Sequence, residues 1–144
     1  MSPTDGGSAV ESPRVLVVDD EQFLRKLYRR TLEAEGWLTL EAPDGETAWA
    51  TLQSRPNVVV VVTDILMPGL TGAQLAERIH ARGPMPLVLL VSAYTPDELA
   101  RQGIRVPATP LLLKPFNPGQ LVHAVRALLE RVNAPPHETG PSEP

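Results

Sequence analysis

The sequence predicts an α/β domain, a doubly wound five-stranded parallel sheet with five helices on its faces, and two observations predict it. Aliphatic runs of strand length alternate with segments of helical period from residue 14 to residue 132, the pattern that calls for a parallel sheet covered on both sides. Four of the five runs stop directly on Asp, Ser or Lys, and in such a sheet the carboxyl ends of the strands are where ligands bind. There is no internal repeat.

The first run, Val15 to Val18, is purely aliphatic and stops at Asp19-Asp20, as expected of a central strand buried on both faces. From Glu21 the period becomes helical, with Leu24, Leu27, Tyr28, Thr31 and Leu32 on one face and Gly36 as the stop. Trp37 to Glu41 is short and alternating, an edge strand, and Asp44 then offers an N-cap for a helix through about Gln53. Val58 to Thr63, five valines and a threonine, is β-branched throughout and ends at Asp64. A helix starting at Thr71 or Gly72 carries Leu75, Ala76 and Ile79 and is broken by Gly83-Pro84. Leu87 to Val91 is the fourth strand, ending at Ser92, and a short helix follows from Pro96 to about Gln102. Thr109 to Leu113 is the fifth strand, ending at Lys114, and Asn117-Pro118 opens a last helix with Leu121, Val122, Val125, Leu128 and Leu129. Residues 1–13 and 133–144 are rich in Pro, Ser and Gly and read as disordered tails.

Composition narrows the function classes. At 144 residues the chain has room for one such domain and no second full one. Aromatic residues are 4% of it, so the core must be aliphatic. A net charge of -4 with no basic cluster argues against nucleic acid as a partner. The longest apolar run is too short to span a bilayer, and no secretion signal precedes it, so a soluble protein with no membrane partner is expected. The absence of cysteine rules out disulfides and thiolate chemistry and fits the cytoplasm.

Asp19-Asp20, Asp64, Ser92 and Lys114 should meet along one sheet edge. Each has an ordinary structural explanation when taken singly, as a helix cap, a turn residue or a solvated charge. Together they supply hard oxygen ligands for Mg2+, a carboxylate nucleophile, and two groups able to hold a phosphoryl oxygen. Clustered carboxylates repel one another, which raises their pKa values or demands a cation. His80, His123 and His137 lack partners at metal-ligand spacing and are read as solvated or packed, and Trp37 and Trp49 as packing residues near the edge strand.

VLVVDD at 15–20, VVTDILMPGLTG at 61–72, VSAY at 91–94 and LLKPF at 112–116 resemble the signature blocks of response-regulator receiver domains, the CheY-like domains of two-component signalling, over roughly residues 14–132. The resemblance implies a flavodoxin-like sheet of order 2-1-3-4-5. It makes Asp64 the phospho-acceptor, Asp20 a direct Mg2+ ligand, Asp19 a ligand through water and the Leu66 backbone carbonyl a further ligand. Ser92 becomes the switch hydroxyl and Lys114 the phosphate-binding lysine, followed by a cis bond to Pro115. It also implies a signalling domain rather than an enzyme in the ordinary sense. The phosphodonor would be a sensor histidine kinase or histidine phosphotransfer protein docking on the first helix near Phe23 and Leu24. Output would pass to an unknown protein effector, to a phosphorelay, or to a second copy meeting the fourth helix, fifth strand and fifth helix, where Leu111 and the run Leu121 to Leu129 stand. With no effector domain in the chain, a single-domain response regulator is expected.

Two departures from the family pattern stand out. The position three before the lysine, usually Tyr or Phe, is Leu111, and the Pro-rich approach to it looks closer to hybrid-kinase receivers. The positions flanking the path of hydrolytic water are Leu66 and Tyr94, neither of which readily orients a water, so a long-lived acyl phosphate is expected. Two other functions compete. A pseudo-receiver, a binding module without phosphoryl turnover, has no need of the intact acidic set. A haloacid-dehalogenase-like phosphotransferase carries its nucleophile after the first strand in a DxD pattern, where this chain has Asp19-Asp20-Glu21.

Overall fold

The structure, a computed structural model, describes residues 14–133. Strands and helices alternate along it: β1 (Arg14–Val18), α1 (Gln22–Glu33), β2 (Leu38–Ala42), α2 (Gly45–Ser54), β3 (Val58–Asp64), α3 (Gly72–Arg82), β4 (Leu87–Ser92), α4 (Pro96–Arg101), β5 (Leu111–Leu113) and α5 (Pro118–Asn133). All strand pairs are parallel and the sheet order is β2-β1-β3-β4-β5, as the resemblance implies. The two segments read as tails lie outside the described residues, except that α5 continues through Asn133.

Successive side chains of a strand point to opposite faces, and β1 and β3 bury both. Leu16, Val18, Val61 and Ile65 join Leu75, Ile79 and Leu99 beneath α2, α3 and α4. Val15, Val17, Val60 and Val62 join Tyr28, Leu32, Leu121 and Val125 beneath α1 and α5. Each fully buried Val or Leu contributes about 1.5–3 kcal/mol relative to exposure, so this aliphatic sandwich is the main source of stability.

The helix starts are closed by side chains. Asp44 accepts from the Thr47 amide at 2.7 Å. Thr71 with Gln74 and Thr95 with Glu98 form reciprocal capping boxes. Asn117 and Gln120 exchange the same pair of bonds at 2.8 Å each. These caps satisfy orphan amides at the sheet edge where the chemistry-bearing residues lie.

Several expectations are corrected. β2 begins one residue later than Trp37, which is buried under the Arg126 guanidinium, 5.2 Å from the ring centroid. β5 is three residues rather than five, because Pro110 has no amide to donate and takes part only through its carbonyl, which accepts from Leu90. Leu27 faces solvent, 40% exposed, since the core side of α1 is already filled by Leu24, Tyr28 and Leu32. Leu121, Val125, Leu128 and Leu129 are buried against the sheet, so they are not free to meet a partner. Trp49 does pack as expected, against the cluster beneath α2 and α3, with the guanidinium groups of Arg78 and Arg82 5.3 and 5.2 Å from its ring centroid.

Gly72 locks the far end of β3 to α3. Its amide donates to the Ile65 carbonyl at 2.9 Å, and an added Cβ would lie 2.1 Å from the Asp64 carbonyl oxygen. Helix propensity alone favours Gly72→Ala by about 1 kcal/mol. Overpacking against backbone should reverse that sign, and the variant is expected to lose about 1–3 kcal/mol, read as a lower urea midpoint.

Candidate functional site

The site is built by four neighbouring strands. Asp19 follows β1, Asp64 closes β3, Ser92 closes β4 and Lys114 follows β5, so all four stand at one edge of adjacent strands. Carboxylate oxygens of Asp19, Asp20 and Asp64 lie within 4.8 Å of one another. Lys114 Nζ is 3.7 Å from Asp64 Oδ2, and both side chains are largely shielded, 24% and 13% exposed. The site residues read from the sequence are therefore brought together at one edge, and Leu66 sits in the loop leaving it, 37% exposed.

Asp19 is held on several sides. Its amide donates to the Ala42 carbonyl at 3.2 Å, its Oδ1 accepts from the Glu21 amide at 2.8 Å, and its carbonyl accepts from Arg25 Nη1 at 2.8 Å. The remaining oxygen, Oδ2, is buried with no protein partner. Asp20, by contrast, is exposed.

Burial dominates the electrostatics. It lifts the Asp64 carboxyl to about 6, against the opposing pull of the Lys114 ammonium and with help from the Asp19 charge. Burial likewise raises Asp19, although the Glu21 amide and Lys114 oppose it. The donor set fits a hard divalent cation: three carboxylates, too close to be ionised comfortably together, one with an orphaned buried oxygen.

The Ser92 hydroxyl is buried, donating to the Tyr94 carbonyl at 2.8 Å and accepting from the Tyr94 amide at 2.9 Å. The bond before Pro115 is cis as the resemblance implies, and the Met85–Pro86 bond, which nothing in the sequence singles out, is cis as well. Leu111 is half-buried against the cluster that contains Leu90 and Leu99.

Sequence reasoning missed two residues here. Tyr28 reads as an ordinary helix-face position. Its phenol is pushed up to about 12 by burial and then by the charges of Asp19 and Asp64, and its ring stands 5.5 Å from that of Phe116. A tyrosine at a core position, whose hydroxyl needs a polar neighbour, was the available signal. Arg25 gave no local signal, because its partners lie on the preceding loop and on β2.

Because the Asp64 carboxyl is raised in the folded state, ionisation costs stability as pH climbs from about 4 to about 6, and the cost stays constant above that. Asp64→Asn is therefore expected to stabilise the metal-free protein by about 2–3 kcal/mol at pH 7, with the gain fading near pH 4. Urea unfolding in chelator at the two pH values measures it.

Comparison with known proteins agrees with this geometry. The family described as the response regulator receiver domain matches residues 15–126. Response regulator GtcR of Aneurinibacillus migulanus is 36% identical over 120 residues, covering 83% of this chain and 49% of that protein. Among solved structures, chemotaxis protein CheY4 of Vibrio cholerae superposes with a TM-score of 0.71 at 30% identity, over 82% of this chain and 99% of the other. The receiver domain of the hybrid histidine kinase CckA gives 0.67 at 27%, over 81% and 98%. The chain spans about half the length of the curated relatives it matches first. Sheet order, acidic edge and sequence likeness converge, and the chain belongs to the response regulator receiver family of two-component signal transduction.

Proposed function

We propose that this receiver accepts a phosphoryl group on Asp64 from a phosphohistidine of a sensor histidine kinase or phosphotransfer protein, in a Mg2+-dependent reaction in the cytoplasm. It then signals through phosphorylation-dependent binding of a protein effector or by phosphorelay, and the receiver domain spans residues 14–132 between two tails. One observation carries the reading: Asp64 lies within 4.8 Å of two further carboxylates and 3.7 Å from a lysine ammonium, at the carboxyl edge of the sheet.

Asp20 would hold Mg2+ directly, with Asp64 and the Leu66 carbonyl, and Asp19 through water. When bound, the ion supplies neutralisation of the phosphoryl charge. An Asp64 carboxylate oxygen forms the new P–O bond while the P–N bond of the donor breaks, and the imidazole leaves with the bonding pair and a proton from solvent. Asp64 must be ionised to attack, and Lys114 opposes the burial that would keep it protonated. After transfer the Lys114 ammonium pairs with a phosphoryl oxygen in place of the carboxylate. A hydroxyl has one proton to donate, so Ser92 gives up the Tyr94 carbonyl when it turns to the phosphoryl group.

Leu66 and Tyr94, 37% and 40% exposed, hold the positions that by family resemblance would flank the path of in-line attack by water. Neither side chain holds a water as a carboxamide does, and hydrolysis is slow for that reason. On the α4, β5 and α5 face, Leu113, 43% exposed, is an apolar side chain open to an effector or a second copy.

Incubation with Mg2+ and acetyl phosphate, followed by intact mass, tests the reading. One added phosphoryl group is expected, absent from Asp64→Ala and from metal-free samples, with a lifetime of many minutes that Leu66→Asn shortens about tenfold or more. No adduct, even with a cognate kinase, would leave a protein-binding module without turnover, and a half-life of seconds would remove the proposed water barrier.

A further inference from the structure

Arg25 stands one turn into α1 with its guanidinium spread between two elements. Nη1 donates to the Asp19 carbonyl at 2.8 Å, and Nε donates to Glu41 Oε1 at 2.9 Å, near the end of β2. Both Arg25 and Glu41 are 13% exposed. Arg29 Nη1 reaches the second Glu41 oxygen at 2.8 Å, and Lys26 Nζ lies 3.6 Å from it. Burial pushes the Glu41 carboxyl upward, but the bonds from Arg29 and Arg25 and the charge of Lys26 hold it below its ordinary range. The anchor is thus ionised through the neutral range.

The Asp19–Asp20 segment needs such an anchor. Three carboxylates at one edge push the segment after β1 away from Asp64, and its own tethers are one amide bond to β2 and one carboxylate bond to the Glu21 amide. The fork of Arg25 ties the Asp19 carbonyl to β2 through Glu41 in a geometry that a planar guanidinium fits and an ammonium does not.

We infer that Arg25, anchored on Glu41, is the positioning residue that holds Asp19 and Asp20 in register with Asp64 and so sets the affinity of the acidic site for a divalent cation. The inference rests on the metal reading proposed above and deepens it. Groups behind metal ligands typically change affinity by about 10–100-fold when removed.

The sign of the effect separates positioning from simple charge. A cation near a Mg2+ site opposes the metal by Coulomb repulsion, so removing the Arg25 charge would tighten binding if charge were its role. Removing a clasp loosens binding instead.

The test is Mg2+ titration by calorimetry on the full chain: wild type, Arg25→Met, Arg25→Lys and Glu41→Gln, with urea midpoints to confirm that each variant is folded. Weakening of about tenfold or more is expected in Arg25→Met, with a smaller loss in Glu41→Gln, whose carboxamide oxygen still accepts a bond. Arg25→Lys, which keeps the charge and loses the fork, should fall near Arg25→Met. Unchanged or tighter binding in folded Arg25→Met overturns the inference while leaving the metal reading intact. Wild-type protein that takes up no Mg2+ overturns both.

Discussion

The structure depends on one electrostatic compromise: three carboxylates crowded at the carboxyl edge of the sheet, with, among the described residues, the half-buried Lys114 ammonium to offset them. Desolvation and mutual repulsion both favour protonation, and the 3.7 Å pair between Lys114 and Asp64 opposes them only in part, which leaves Asp64 at about 6. A group poised there answers strongly to a cation or a phosphoryl group, because either changes the local charge by more than the lysine can.

The surrounding fold is what makes the compromise tolerable. β1 and β3, buried on both faces by aliphatic side chains, deliver their terminal carboxylates on rigid supports. Gly72 lets α3 pack against the Asp64 carbonyl without a side chain between them. The helices on this edge begin with their amides aimed toward it, a partial positive charge spread along the same side of the sheet as the acids. On the other side of the lysine, Phe116 packs on Tyr28, which ties the turn after Lys114 to the helix that follows Asp20.

Most of the architecture was legible in the sequence because its signals are local. A run such as Val58 to Val62 is β-branched and continuous, and no helix competes for it. The caps at Asp44, Thr71 and Asn117 likewise declare themselves within four residues. What the sequence hid was long-range or competitive. β5 lost two residues to the missing amide of Pro110, and Leu27 lost its place in the core because Leu24, Tyr28 and Leu32 fill that face. The helical spacing of Leu121 to Leu129 cannot distinguish a face for a partner from a face for the sheet, and the sheet took it. At the site, motif residues were legible as a set, whereas Arg25 and Tyr28 act across elements, where spacing in the chain carries no information.

Burial, only partly offset by Lys114, holds the Asp64 carboxyl above its ordinary range, and the proposed Mg2+ would bring it down. Carboxyl carbon shifts of labelled aspartate, followed by NMR against pH with and without Mg2+, read this directly. Asp64 is expected to titrate near pH 6 without metal and well below that with saturating Mg2+. An Asp64 that titrates as an ordinary exposed aspartate in the absence of metal, or that is indifferent to Mg2+, would contradict it.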